Sequence, residues 1–285
     1  MLPYEKLRRF IMYKLLATDL DETLLSSDGT ISQPNKLAIQ QAMACGTKIV
    51  LATGRSIHNV QRILSSLDLA DKPNEFVISY NGGLISENKG TYLLKQQAIA
   101  FPLAQQIFQL GVAHHLLIHV FTLNHLYTYQ MTLEEEAYLS DRTGMLPLTE
   151  ASIDHLEQDP IIKISFQHLD RSFLESIEHA LDNSLKEQLD INYSSNRYIE
   201  FNAKGVHKGN ALKTLATQLH INPTDIIAVG DNMNDRTMID YAGKGIAVAN
   251  AVPELKELAN YITQSTHNEH ALSEVIHRFI LNPVT

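Results

Sequence analysis

The stretch ATDLDETLL, residues 17–25, decides how the chain is read. An apolar, strand-like run over residues 13–18 leads straight into Asp19, Asp21 and Glu22, with Thr23 close behind. In extended backbone, residues two apart point to the same side, so Asp19 and Asp21 converge on one point beyond the strand. Two carboxylates there repel each other unless a proton or cation intervenes. A hard cation such as Mg2+ takes such oxygen ligands. Taken alone, the stretch also fits an ordinary polar turn, because Asp and Thr are favoured turn residues.

Around it, strand and helix patterns alternate. Strands are expected at 13–18, 48–52 and 75–80, with helices at 34–44 and 57–67 between them. Short links of this kind imply a parallel sheet covered on both faces. Ligands in such sheets bind beyond the carboxyl ends of the strands. Asp19, Thr53 and Asn81 each fall just past an apolar run. After Gly83 the rhythm changes. Strands are expected at 91–94, 116–121, 126–130, 161–166, 191–194 and 198–201, and helices at 102–114, 133–141 and 171–188. Neighbouring strands without intervening helices suggest an antiparallel sheet with helices on one face. From residue 205 the first rhythm resumes, with helices at 208–219, 233–241, 253–258 and 269–281 and strands at 225–229 and 245–248. The expected fold is α/β. Residues 1–84 and 203–285 form the core with its parallel sheet, and residues 85–202 form an inserted α+β domain over the open end of that sheet.

Net charge is −9, which argues against a general nucleic-acid or membrane-surface partner but not against a small anion held in a locally positive site. No run is long and apolar enough to span a membrane. The N-terminal MLPYEKLRRFIM lacks the apolar core of a signal peptide and reads as an extension. Cys45 is the single cysteine, so no intrachain disulfide forms and a reducing, cytoplasmic compartment is expected. Its helical setting marks it as a small buried apolar residue.

Three further segments carry chemistry. In AVGDNMND, residues 228–235, a strand again runs into acidic residues; Asp231 can complete a metal site with Asp235 in support, or the segment is a turn with Asp231 or Asn232 capping the next helix. In VLATGRS, residues 50–56, the Thr53 hydroxyl, the Gly54 amide and a helix start suit an anion cradle, with Arg55 as a cation for a phosphate or substrate, though alone the segment also fits an ordinary strand-to-helix turn. In KGVHKGNAL, residues 204–212, Lys208 opens a helix, where the dipole disfavours a cation unless carboxylates or a phosphate lie nearby. Metal ligands, donors for phosphoryl oxygens and a nucleophile are the parts that phosphoryl transfer needs. No Walker-type or G-x-G-x-x-G loop is present.

DLDETLL (19–25), LATGR (51–55), SYNGG (79–83), GVHKGNAL (205–212), VGDNMND (229–235) and AVANA (247–251) occur in an order and spacing that resemble the haloacid dehalogenase superfamily of phosphatases. Within it the chain looks like the Cof-type, subclass IIB members, with a Rossmann-like core and a C2 cap. The resemblance implies that Asp19 is the nucleophile forming an aspartyl-phosphate and that Asp21 is the acid and base. It implies that Thr53, Gly54 and Lys208 bind the phosphoryl group, with Asn234 contacting phosphate or orienting Lys208. It also implies that Asp19, the Asp21 backbone carbonyl and Asp231 ligate Mg2+, supported by Asp235. Arg55 and Asn81 are candidate substrate contacts. Tyr80, His114, His115, His119, His125, Tyr193, Tyr198 and Glu200 are further candidates, and the histidines form no convincing metal site. Glu22 stands where glycine is frequent in the family, and a non-glycine residue cannot take unusual backbone angles cheaply. The implied activity is hydrolysis of a small phosphorylated metabolite, a sugar phosphate first, by a monomer or weak homo-oligomer. A phosphomutase of the same fold and a non-catalytic metabolite-binding regulator are the alternatives.

Overall fold

The computed structural model describes residues 13–89, 92–139 and 145–282. The extension at 1–12, residue 91 of one expected strand and residues 140–141 of one expected helix lie outside them. The first core half carries β1 (Leu15–Thr18), α1 (Gln33–Ala44), β2 (Lys48–Ala52), α2 (Ile57–Ser66), β3 (Phe76–Ser79), β4 (Leu84–Glu87) and β5 (Leu93–Gln96). The second domain follows with α3 (Phe101–Ala113), β6 (Leu117–Thr122), β7 (Leu126–Tyr129), α4 (Leu133–Tyr138), β8 (Met145–Leu148), β9 (Ile161–Gln167), α5 (Arg171–Ala180), α6 (Asn183–Lys186), β10 (Leu189–Ser194) and β11 (Tyr198–Ala203). The chain then returns through α7 (Lys208–Gln218), β12 (Ile226–Gly230), α8 (Arg236–Tyr241), β13 (Lys244–Ala247) and β14 (Tyr261–Ile262).

The core sheet runs β14-β13-β12-β1-β2-β3-β4-β5, with β1 parallel to both β12 and β2. Leu15, Leu16 and Ala17 are fully buried because helices cover both faces, which is why β1 is a continuous apolar run rather than an alternating one. β1 belongs to the first core half and its neighbour β12 to the second, so the sheet has its topological switch point there.

The sheet turns antiparallel at β4 and β5. The boundary expected at residue 85 therefore falls inside a core strand, and residues 84–96 extend the core. A hairpin added to a sheet breaks the strand–helix rhythm just as an inserted domain does. The strand expected at 91–94 is β5, shifted toward residue 96. The helix expected over 171–188 breaks at Leu181 (φ −60, ψ 140), and Asp182 restarts it by accepting the Ser184 N–H. The 233–241 helix begins with a 3-10 turn at Met233–Asp235, and the last helix starts only after His270 (φ 70). Cys45 is exposed rather than buried: it caps the end of α1, beyond that helix's last turn into the core.

The second sheet runs β10-β11-β9-β6-β7-β8. β8 went unpredicted because its MLPL sequence has no alternation; its proline is tolerated at the sheet edge it occupies. Side chains on β6, β9 and β11 alternate, apart from a register shift at Phe121/Thr122. Ile118, Val120, Ile164, Phe166, Ile199 and Phe201 pack in the domain's own apolar core with residues of α3 and α5. His119, Phe121, Lys163, Ser165, Tyr198 and Glu200 take the opposite face, where they line a cavity shared with the core.

Candidate active site

Register builds the site first. Thr18 is level with Val229 on one side and Leu51 on the other, and the Asp19 N–H donates to Val229 O at 3.0 Å. Asp19, Asp231 and Thr53 therefore emerge at one rim of the sheet.

Lys208 closes this rim from the other side. It starts α7, whose preceding residue His207 accepts the Asn210 N–H on Nδ1 at 3.2 Å. The ammonium is fully buried and donates to Asp19 Oδ1 at 2.5 Å and Asp235 Oδ1 at 2.6 Å. These carboxylates explain a lysine at a helix N-terminus. Asp235, not Asn234, thus orients Lys208. The other Asp235 oxygen accepts the N–H groups of Asp231 and Asn232 at 3.0 and 3.2 Å. Gly230 makes room for this: a Cβ there would sit 2.5 Å from the Asp235 carboxylate. Thr23 Oγ1 donates to Asp231 Oδ1 at 2.8 Å.

Asp19, Asp231 and Asp235 each offer an oxygen within 4.8 Å of the others, the only such cluster among the described residues. One ammonium faces three buried carboxylates. Burial pushes Asp19 up to about 7 despite the Lys208 charge, with Asp235 and Asp21 adding repulsion. Burial likewise pushes Asp231 up to about 9, helped by the charges of Asp19 and Asp235. The protein alone leaves this cluster short of positive charge, and hard oxygen donors suit a divalent cation such as Mg2+.

Asp21 stands at the mouth. Arg55 grips both its oxygens, Nη2 to Oδ1 at 2.5 Å and Nε to Oδ2 at 3.0 Å. Sequence reasoning gave Arg55 to phosphate or substrate; here it holds a carboxylate. Glu22 lies in the left-handed region at φ 59, and its carbonyl accepts the Asn250 side-chain N–H at 2.8 Å.

A cavity of about 380 Å³ lies between the core rim and the second sheet. Asp19, Asp21, Gly54, Arg55, Asn81, Asp231 and Asn234 line it, while Thr53, Lys208 and Asp235 sit behind its surface. Thr53 Oγ1 accepts the Arg55 N–H at 3.1 Å. The opposite wall holds residues that sequence reasoning missed or could not rank. Lys163 Nζ bonds Glu200 Oε1 at 2.8 Å and Gly54 O at 3.3 Å, and Glu200 Oε2 accepts from Asn81 Nδ2 at 2.7 Å. These bonds tie the second domain to the loops that follow β2 and β3 of the core. Among the four histidines named, His119 alone lines the cavity, held by Thr128 at 2.9 Å and Glu135 at 3.1 Å. Lys163 and Ser165 carried one usable signal, the alternation within IKISF.

The family model of haloacid dehalogenase-like hydrolases matches residues 16–276. The chain is 33% identical to the Bacillus subtilis protein YxeH, over 95% of this chain and 99% of that one. It is 29% identical to the 5-amino-6-(5-phospho-D-ribitylamino)uracil phosphatase YcsE of the same organism, over 96% and 98% of the two chains. A solved haloacid dehalogenase-like hydrolase from B. subtilis superposes with a TM-score of 0.82 at 29% identity, covering 93% of this chain and 99% of that one. With nearly the whole chain matched, and with the carboxylate rim and its buried lysine in place, the protein belongs to the haloacid dehalogenase-like hydrolases and is a phosphoric monoester hydrolase.

Proposed function

We propose that the protein is a Mg2+-dependent phosphatase that hydrolyses a small sugar phosphate or polyol phosphate through an aspartyl-phosphate on Asp19. The observation that carries this reading is the buried Asp19–Lys208 contact at 2.5 Å, with Asp19 on the cavity wall and Lys208 directly behind it. Asp235 is engaged by Lys208 and two backbone amides. That leaves Asp19, Asp231 and the Asp21 carbonyl as the Mg2+ ligands. When bound, Mg2+ supplies the positive charge that keeps these carboxylates ionised and screens them from a phosphate.

An Asp19 oxygen forms a bond to phosphorus as the ester P–O bond breaks, and Asp21 gives its proton to the departing alcohol oxygen. Asp21 then takes a proton from water as the water oxygen attacks phosphorus, releasing inorganic phosphate and restoring Asp19. The Lys208 ammonium, the Thr53 hydroxyl, the Gly54 amide and Asn234 hold the phosphoryl oxygens. Arg55 orients Asp21 through its two-point grip. The Ser165, Ser194, Asn196 and Glu200 side chains in the cavity wall suit a hydroxylated leaving group, as does the ribityl phosphate in the name of the relative YcsE.

The same reading gives a cytoplasmic enzyme, monomeric or weakly homo-oligomeric, with no nucleic-acid or membrane partner. It is supported by the −9 charge and the lone cysteine. Among the described residues no helix is long and apolar enough to cross a membrane.

The test is phosphate release from a panel of sugar and polyol phosphates, with Mg2+ and with a chelator. Wild type should turn over only with the metal. Asp19→Asn should lose activity by orders of magnitude at an unchanged melting temperature. Full activity in that variant would sink the nucleophile, and isomer interconversion without phosphate release would replace hydrolysis with a mutase reaction.

A further inference from the structure

A second cavity, of about 300 Å³, opens on the core beside the first. Its charged lining is wholly basic: Lys36 from α1, His58 and Arg62 from α2, and Arg55 between the two cavities. No Asp or Glu lines it, on a chain with 32 acidic residues against 23 lysines and arginines. His58 and Arg62 are one helical turn apart and so share a face of α2. Among the described residues, the side chains of Lys36, His58 and Arg62 make neither an ion pair nor a hydrogen bond. Ordinary surface cations are spread over water-facing surface; these line one concavity, where like charges repel unless an anion joins them. Asn59 adds an amide to the same wall, and Thr30 adds a hydroxyl that donates to Asp28 Oδ1 at 2.7 Å.

Arg55 lines both cavities, and in the first it grips Asp21 at 2.5 and 3.0 Å. We propose that the basic cavity is a second anion site, for a small phosphate-class oxyanion, coupled through Arg55 to Asp21. A dianion there competes with Asp21 for the guanidinium. Filling the site therefore lowers kcat while leaving the first cavity open to substrate, so KM is unchanged. The coupling rests on the phosphatase reading; the binding does not.

Inorganic phosphate is the probe, titrated calorimetrically into the full chain with Mg2+ present. Wild type should bind two phosphates per chain, and the double variant Lys36→Gln/Arg62→Gln should bind one. Should the pair fail to fold, Arg62→Gln alone should weaken the second phosphate at least tenfold. In product inhibition of p-nitrophenyl phosphate turnover, wild type should show a competitive component and a kcat-lowering one. The double variant should turn over like wild type without phosphate and keep only the competitive component. The same number of phosphates bound by wild type and by the double variant overturns the site. A kcat-lowering component equal in both proteins overturns the coupling. Absence of turnover in both would count against the phosphatase reading, while the binding stoichiometry would still decide the site.

Discussion

Thr23 donates to Asp231 at 2.8 Å, joining two strand ends 208 residues apart. Burial drives Asp231 up to about 9, and the Thr23 hydroxyl opposes that drive by bonding the ionised form. Thr23→Val keeps the shape and removes the donor. If Asp231 holds Mg2+ as proposed, the variant should need roughly 10–100-fold more Mg2+ for half-maximal activity, the usual loss when a partner of a metal ligand is removed. Thr23→Ser should restore the wild-type requirement. An unchanged Mg2+ titration in Thr23→Val would show that the hydrogen bond does not tune the site.

Lys163 and Glu200 form a nearly buried ion pair, with side chains 4% and 6% exposed. Removing one partner leaves the other charge uncompensated, at a cost of about 3–5 kcal/mol, whereas replacing both with apolar groups costs far less. Urea unfolding of Lys163→Met, Glu200→Leu and the double variant should therefore be strongly non-additive, with the double variant more stable than the sum of the singles predicts. Additive losses would mean the two charges are stabilised separately.

The core rim was legible because parallel strands buried on both faces are apolar to their last residue, so Asp19 and Asp231 stand out where the runs stop. Lys208 was legible as a conflict with the helix dipole, which Asp19 and Asp235 resolve. Contacts between distant residues of ordinary type left no local trace: nothing near Arg55 points to Asp21, and nothing near Thr23 points to Asp231. The cavity's second wall was half legible. IHVFT, IKISF and YIEFN alternate, so His119, Lys163 and Glu200 had to share faces with their neighbours, but only the pairing of β6, β9 and β11 puts them on one face. The 84–96 hairpin was mistaken for the start of the insertion because both interrupt the strand–helix rhythm in the same way.

Glu22 sits at φ 59, where a residue with a Cβ pays roughly 1–2 kcal/mol relative to ordinary backbone. Glycine removes that strain but adds freedom to the unfolded chain, which returns part of the gain. Glu22→Gly should stabilise the protein by about 0.5–1 kcal/mol, seen as a rise in melting temperature of about 2 °C. A lower melting temperature would show that the Glu22 side chain contributes more than its backbone costs.

His207 makes the start of α7 sensitive to pH. Its Nδ1 accepts the Asn210 N–H, which requires the neutral ring. Burial holds its pKa below the usual 6.5; Asp190 opposes the shift, while Lys95 and Lys204 add to it. The unfolded chain therefore takes up a proton at a higher pH than the folded chain does. Stability from this group is complete above 6.5 and falls as the pH drops from there toward the lower folded value. The cap is worth about 1 kcal/mol. Asparagine at the same position caps a helix without titrating. Urea unfolding at about pH 7.5 and about pH 5.5, on either side of the imidazole range, should show His207→Asn losing less stability than wild type on acidification. Because Lys208 is the next residue, activity should follow the same difference, as a freed helix start loosens the ammonium beside Asp19. Equal losses in the two proteins would place the acid sensitivity elsewhere in the fold.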